Sequence, residues 1–218
     1  VTGPLGAAGV IALGYLLGAI PIGLIAGRVA GGVDLRQLGS QRTGATNALR
    51  ALGARWAAAV LLLDIGKGAV AVAGAGLVYR PDGFAAVTWV AAAAGLAAVI
   101  GHTWSVFIGF RGGRGVATTA GGLLASAPLA VVLVLPLVLA VIWRTRYVSA
   151  GSLAGALGAP VATALLAMLG VNGWAPVGYA LAAGLLVTAS HRDNIARLRA
   201  GTERRIGDRE GAQTHGAR

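Results

Sequence analysis

Six stretches of this chain are too long and too apolar for an ordinary soluble fold: residues 5–27, 54–79, 84–101, 116–143, 150–171 and 174–190. At about 1.5 Å of rise per residue, roughly 20 residues cross a hydrocarbon core. Lipid offers the backbone no hydrogen-bond partners, so unbroken apolar runs of this length must be helices. With 56% of its residues apolar and 11% charged, the chain is expected to be an all-α polytopic membrane protein. Thirty-six glycines suit helices that approach closely in lipid. The first run lacks a basic segment before Leu5 and is longer than a signal-peptide core, so it is read as a retained span. Residues 1–200 are expected to form one membrane domain, and 201–218 a basic cytoplasmic tail, exposed and disordered at its end.

Charge orders these runs. Of eighteen lysines and arginines, five lie in 28–55, two in 102–115, two in 144–149 and seven in 191–218. All sixteen belong on one face, which the positive-inside rule makes cytoplasmic. Arg80 sits alone in a short turn, residues 79–83, on the other side. Because 102–115 and Arg144 then share a face, 116–143 must go in and come back. Pro128 is the natural break, giving two short, re-entrant helices, about 116–127 and 129–143. The total is seven helices, amino terminus outside and carboxyl terminus inside. One long tilted helix is the alternative. The formal charge of +11 is better explained by topology and anionic lipid than by nucleic acid, which is not an expected partner.

The polar stretches gather on that basic face. The first, residues 39–50 (GSQRTGATNALR), holds Ser40, Gly44, Thr46, Asn47 and Arg50. Thr43 or Thr46 could cap a helix there, and a helix start with nearby glycine stabilises an anion. Arg50, one turn on, adds a guanidinium fork. The second has Arg111, Gly112, Gly113, Arg114 and Gly115 just before a small-residue helix, with Thr118 one turn in and His102 upstream. A faint echo links Arg42–Ala48 to Arg114–Ala120, as two related anion cradles. The third places Ser149 and Ser152 beside Arg144 and Arg146. In the fourth, His191 and Asn194 are three apart, on one face of a short amphipathic helix. Asp64 and Lys67 lie within a span, where ionisable groups are costly, and are read as a bracing pair that also lines the pocket. Each stretch taken alone also reads as an interfacial basic loop with a helix cap.

Familiar catalytic spacings are missing. The chain has no Walker pattern, no H-E-x-x-H, no G-x-S-x-G and no cysteine. Three histidines and seven carboxylates give little basis for a metal site, and no cofactor is expected. What remains is an anion site that works by positioning and charge stabilisation.

Together, Gly44–Arg50, Leu63–Gly68, Gly101-His102, Phe110–Thr118, Arg146–Ser149 and His191–Ile195 resemble, in order, the motifs of the bacterial acyl-phosphate:glycerol-3-phosphate acyltransferase family. The resemblance spans about residues 11–207. It implies a seven-helix enzyme of the bacterial cytoplasmic membrane with its site facing the cytoplasm. Such an enzyme moves a fatty acyl group from acyl phosphate to the 1-hydroxyl of glycerol 3-phosphate, making lysophosphatidic acid and phosphate, the first acylation of phospholipid synthesis. By motif position, Ser40, Asn47 and Arg50 would bind phosphate, the Gly112–Gly115 loop with Arg114 would hold a second anion, and Ser149, His191 and Asn194 would complete the site. The attacking hydroxyl would lose its proton to the substrate's own phosphate or to His191, without a covalent enzyme intermediate. The chain departs from the pattern at Gln41-Arg42, usually Gly-Asn, at Arg111 and Arg114, commonly lysine, and at Ser105, usually proline. A transporter or channel for a small phosphorylated solute is the alternative, although such proteins place polar groups near the midplane.

Overall fold

In the computed structural model, which describes residues 1–80 and 84–208, ten α-helices carry the chain: α1 Gly3–Ala19, α2 Ile22–Gly31, α3 Ala45–Leu52, α4 Ala54–Val78, α5 Phe84–Thr103, α6 Val116–Ser126, α7 Pro128–Thr145, α8 Val148–Met168, α9 Trp174–Ser190 and α10 Arg192–Arg199. Five stretches of helix are long and apolar enough to cross a membrane, the first made of α1 and α2 together; α6 and α9 are shorter apolar helices. These are the seven expected hydrophobic elements. Residues 81–83 of the turn after Arg80 lie outside the described residues, as do 209–218.

Two runs break at proline. The run 116–143 stops at Ala127, whose φ of −151° and ψ of 65° leave the helical region, and Pro128 opens α7. Proline suits a first helical position, where its missing N–H has no partner to lose. Both ends of the α6–α7 pair reach one cavity, through Arg114 and Gly115 at one end and Val148 and Ser149 at the other. The run therefore goes out and back, and the single tilted helix does not form. The first run was expected to be one helix and is two, because Pro21 ends α1 at Ala19. The break frees two carbonyls. The hydroxyl of Ser105 donates to that of Ala19. Lys67 Nζ donates to that of Ile20 at 3.1 Å. Serine at 105 thus satisfies a buried acceptor that a proline there could not.

Small residues set how near the helices lie. A Cβ on Gly18 would overlap the carbonyl of Ala98, fixing α1 against α5. Gly68 and Gly121 meet the carbonyls of Thr118 and Ile65 in the same way, fixing α4 against α6. Without a hydrophobic driving force between helices in lipid, such backbone approach supplies the attraction by dispersion. The outer face of α7, with Leu133, Leu137, Leu139 and Trp143, is exposed and suited to acyl chains.

After α10 the chain folds back. Ile206 N donates to the Arg146 carbonyl at 2.8 Å and Arg146 Nη2 to the Ile206 carbonyl at 2.6 Å. Arg205 stacks 5.4 Å from the centre of the Tyr147 ring. Residues 201–208 are thus hydrogen-bonded to the α7–α8 turn, while all of them but Glu203 stay exposed as the sequence suggested.

Candidate functional site

One cavity of about 840 Å³ joins the basic ends of α3, α6, α8 and α10 to a slot between α6, α7, α8 and α9. Its two halves differ in chemistry. The polar half carries Ser40, Arg42, Gly44, Thr46, Asn47, Arg50, Arg114, Gly115, Ser149, Ser152, His191 and Asn194. The apolar half is lined by Leu123, Ala130, Val131, Val134, Val138, Gly155, Ala159, Ala180 and Gly184. Four polar stretches, spread from Ser40 to Asn194 in the sequence, therefore meet at one place.

The first stretch is held by Asn47. Its Nδ2 donates to the carbonyls of Leu35 at 2.9 Å, Leu38 at 3.1 Å and Arg42 at 2.9 Å, and its Oδ1 accepts from Ser40 N at 3.1 Å. The Asn47 amide hydrogens are thus committed to three backbone carbonyls that shape the loop, at a residue that also lines the cavity. Neither threonine caps α3. Gly44 is the capping residue, without a side-chain bond, and Thr43 is buried under α2 with its carbonyl against Gly23. Gln41 takes a left-handed φ of 57°, where a side chain is strained, at the position where the related pattern has glycine.

In the second stretch, Gly113 N donates to the His102 carbonyl at 3.0 Å and Gly112 N to that of Thr103 at 3.1 Å. These two N–H groups fasten the loop to the end of α5 and do not form the expected anion cradle. Gly115, at φ 81°, caps α6 and brings Arg114 to the cavity. The Ser190 hydroxyl holds the Arg114 carbonyl at 3.0 Å. The Nε of Arg114 is buried without a protein partner. Burial first, then the nearby charges of Arg42 and Arg197, lower the Arg114 guanidinium to about 10. Arg111 is exposed and away from the cavity, and Thr118 is buried in the α4–α6 seam; Thr119, its neighbour, lines the site. Arg42 and Arg114 each stand shortly before a helix start on the same cavity.

Lys67 does not line the site either. It ties Asp64, 2.9 Å away, to the α1–α2 break. Asp64 faces the cavity and lies 3.4 Å from Nδ1 of His102, whose ring packs on Gly113.

Sequence reading missed Glu203. The docked turn after α10 drives this carboxylate into the site, where it accepts from Ser149 Oγ at 2.8 Å, Asn194 Nδ2 at 2.6 Å and Arg197 Nε at 2.8 Å. Burial alone would raise its pKa, but those three donors together hold it below the usual carboxylate value. Four acidic positions within the last 26 residues gave no sign of which one turns inward; only the motif contacts of Ser149 and Asn194 identify it. Ser152 lines the cavity and donates to the Val148 carbonyl at 3.0 Å.

His191 is buried, and its Nδ1 lies 2.8 Å from the Val187 carbonyl. A carbonyl only accepts, so Nδ1 carries the proton and Nε2 is left as an acceptor. Burial lowers the imidazole pKa to about 4 despite the Val187 bond; the charges of Arg114 and Arg42 push the same way. At neutral pH this ring is an uncharged acceptor.

A family profile described as glycerol-3-phosphate acyltransferase matches residues 8–201. A glycerol-3-phosphate acyltransferase of Synechococcus sp. (strain CC9902) is 46% identical over 199 residues, covering 91% of this chain and 94% of the relative. One from Thermus thermophilus is 46% identical over 197 residues, covering 90% and 94%. Two crystal structures of PlsY (YgiH), an integral membrane glycerol 3-phosphate acyltransferase, superpose on the fold. The glycerol 3-phosphate form has a TM-score of 0.81 at 35% identity, covering 92% of this chain and 96% of that one. The lysophosphatidic acid form has a TM-score of 0.79 at 33% identity, covering 92% and 95%. The chain belongs to the glycerol-3-phosphate acyltransferase family and is a multi-span integral membrane protein.

Proposed function

We propose that this member of the glycerol-3-phosphate acyltransferase family transfers a fatty acyl group from acyl phosphate to the 1-hydroxyl of glycerol 3-phosphate, giving lysophosphatidic acid and inorganic phosphate. The site lies at the cytoplasmic face of the bacterial inner membrane, since the arginine-rich ends of the helices surround it. The observation that carries the reading is the division of one cavity into a cationic mouth and an apolar slot. Five arginines and three carboxylates line it among the described residues, an excess of positive charge suited to two phosphate groups. From Ser149 to Ala159 the slot runs about 15 Å along α8, enough for most of a fatty chain lying beside lipid.

Phosphate-binding roles fall to Arg114, with its unpartnered Nε, to Arg50 and Ser40, and to the start of α3 at Gly44 and Thr46. Asn194, Ser149 and Ser152 shape the far wall. The hydroxyl oxygen attacks the acyl carbonyl carbon, the carbon–oxygen bond to phosphate breaks, and phosphate leaves with that electron pair. No serine is held on His191: the Ser149 hydroxyl donates to Glu203 and the His191 Nδ1 proton goes to Val187. Direct transfer, without an acyl-enzyme, fits this arrangement. The hydroxyl proton goes to the glycerol phosphate itself, whose second pKa of about 6 makes it a stronger base than a histidine held near 4. His191 Nε2 orients the hydroxyl by accepting its hydrogen bond. The test is purified protein with palmitoyl phosphate and glycerol 3-phosphate, following phosphate release and lysolipid together. Equal yields of both are expected, with no product from acyl-CoA; product from acyl-CoA alone overturns the donor.

A further inference from the structure

We infer that Arg42 is a further phosphate-binding residue of this site, parked on Asp193 across the cavity mouth and transferred to a substrate phosphate on binding. This rests on the acyl-transfer reading above. The backbone that launches Arg42 is fixed on both sides: Gln41 is in its left-handed turn, and the Arg42 carbonyl accepts from Asn47 at 2.9 Å. The side chain then reaches from the loop before α3 to α10, where Nη2 lies 3.9 Å from Asp193 Oδ2. Both residues line the cavity.

Two arginine–carboxylate pairs thus border the mouth, and they differ in kind. Arg197 meets Glu203 at 2.8 Å, and that carboxylate is also bound by Ser149 and Asn194, so the pair is built in. Asp193 is half exposed, its contact with Arg42 is long, and its other partner is the exposed Arg192 at 3.7 Å. An exposed ion pair of this length contributes little, whereas a phosphate offers a guanidinium shorter, charge-assisted bonds. The same guanidinium sits close enough to Arg114 and His191 to depress both. It therefore bears on the ligand those residues touch. Glycerol 3-phosphate and acyl phosphate share the chemistry it would recognise.

The test compares wild type, R42A, R42K and D193N, purified in detergent, with each substrate varied in turn. R42A should raise KM for one phosphate substrate about tenfold to a hundredfold, the loss of a hydrogen bond to a charged group, while kcat changes less than about threefold. Whichever KM moves identifies the phosphate. R42K should recover part of the loss. D193N, which removes the competitor, should lower the same KM about two- to fivefold. The inference is overturned if R42A leaves both KM values within twofold, or if D193N raises the KM that R42A raises, as a structural pair would. If R42A melts well below wild type, R42Q replaces it under the same criteria. Absence of turnover in the wild type would sink the acyl-transfer reading instead. Arg42 is then judged by the thermal shift that inorganic phosphate produces, expected in wild type and smaller in R42A; equal shifts overturn it.

Discussion

Replacing Asn47 by aspartate should collapse the loop that faces the substrates. The side chain keeps its size and its acceptor for Ser40 N but loses the amide hydrogens and gains a carboxylate, whose charge the neutral N47A controls for. Those hydrogens serve three carbonyls, of Leu35, Leu38 and Arg42, within 2.9–3.1 Å, at a residue only 3% exposed. Two N–H groups are lost, each worth about 1 kcal/mol net, and the buried carbonyls are left facing an oxygen, at about 1–3 kcal/mol more. A loss of about 3–5 kcal/mol follows. For a chain of this size that is a fall in melting temperature of about 6–20 °C. The assay is a thermal melt of the purified protein beside steady-state turnover. N47D should lose stability and activity together, and N47A should behave similarly. If N47D melts with wild type and only its KM for glycerol 3-phosphate rises, Asn47 touches substrate and the loop-shaping role is refuted.

Glu203→Ala strands Asn194 and Ser149, both buried, and should cost about 2–4 kcal/mol with a severe fall in kcat/KM; E203Q keeps an acceptor and should fall between, as thermal melts and turnover will show. Acid should destabilise the protein from two groups with one sign. Glu203 is held low, so its contribution is complete above its unfolded pKa of about 4.5 and is lost as pH falls through the folded value. His191 stays neutral in the fold down to about 4 while the unfolded ring takes a proton below about 6.5, so its contribution also drains between those limits. Melting temperature should therefore fall steadily from about pH 6.5 to 4, and less steeply in H191Q. Between about pH 6 and 9, H191Q should lower kcat without moving the profile; a basic or acidic limb lost with the histidine would mark it as the proton acceptor. Ala159→Phe should fill the slot about 15 Å from Ser149 and raise KM for palmitoyl phosphate about tenfold while sparing dodecanoyl phosphate, measured by phosphate release.

Hydrophobic run length and arginine placement determine much of this protein without coordinates. Lipid forbids unsatisfied backbone, so the runs had to be helices, and charge asymmetry forced 116–143 to reverse where Pro128 permits it. That the polar stretches share one mouth was also legible, because the arginine count puts those helix ends on one face. Which of them face the ligand was not. Gly112, Gly113, Lys67 and Thr118 stand in the right motifs yet off the cavity, and Asn47, which lines it, spends its amide hydrogens on loop closure. Glu203 stands in a tail poor in apolar residues, yet turns inward. A hydrogen-bonding group in sequence carries no record of its partner: whether an amide meets a phosphate or a neighbouring carbonyl depends on a few ångströms of tertiary approach, and the backbone must be satisfied first.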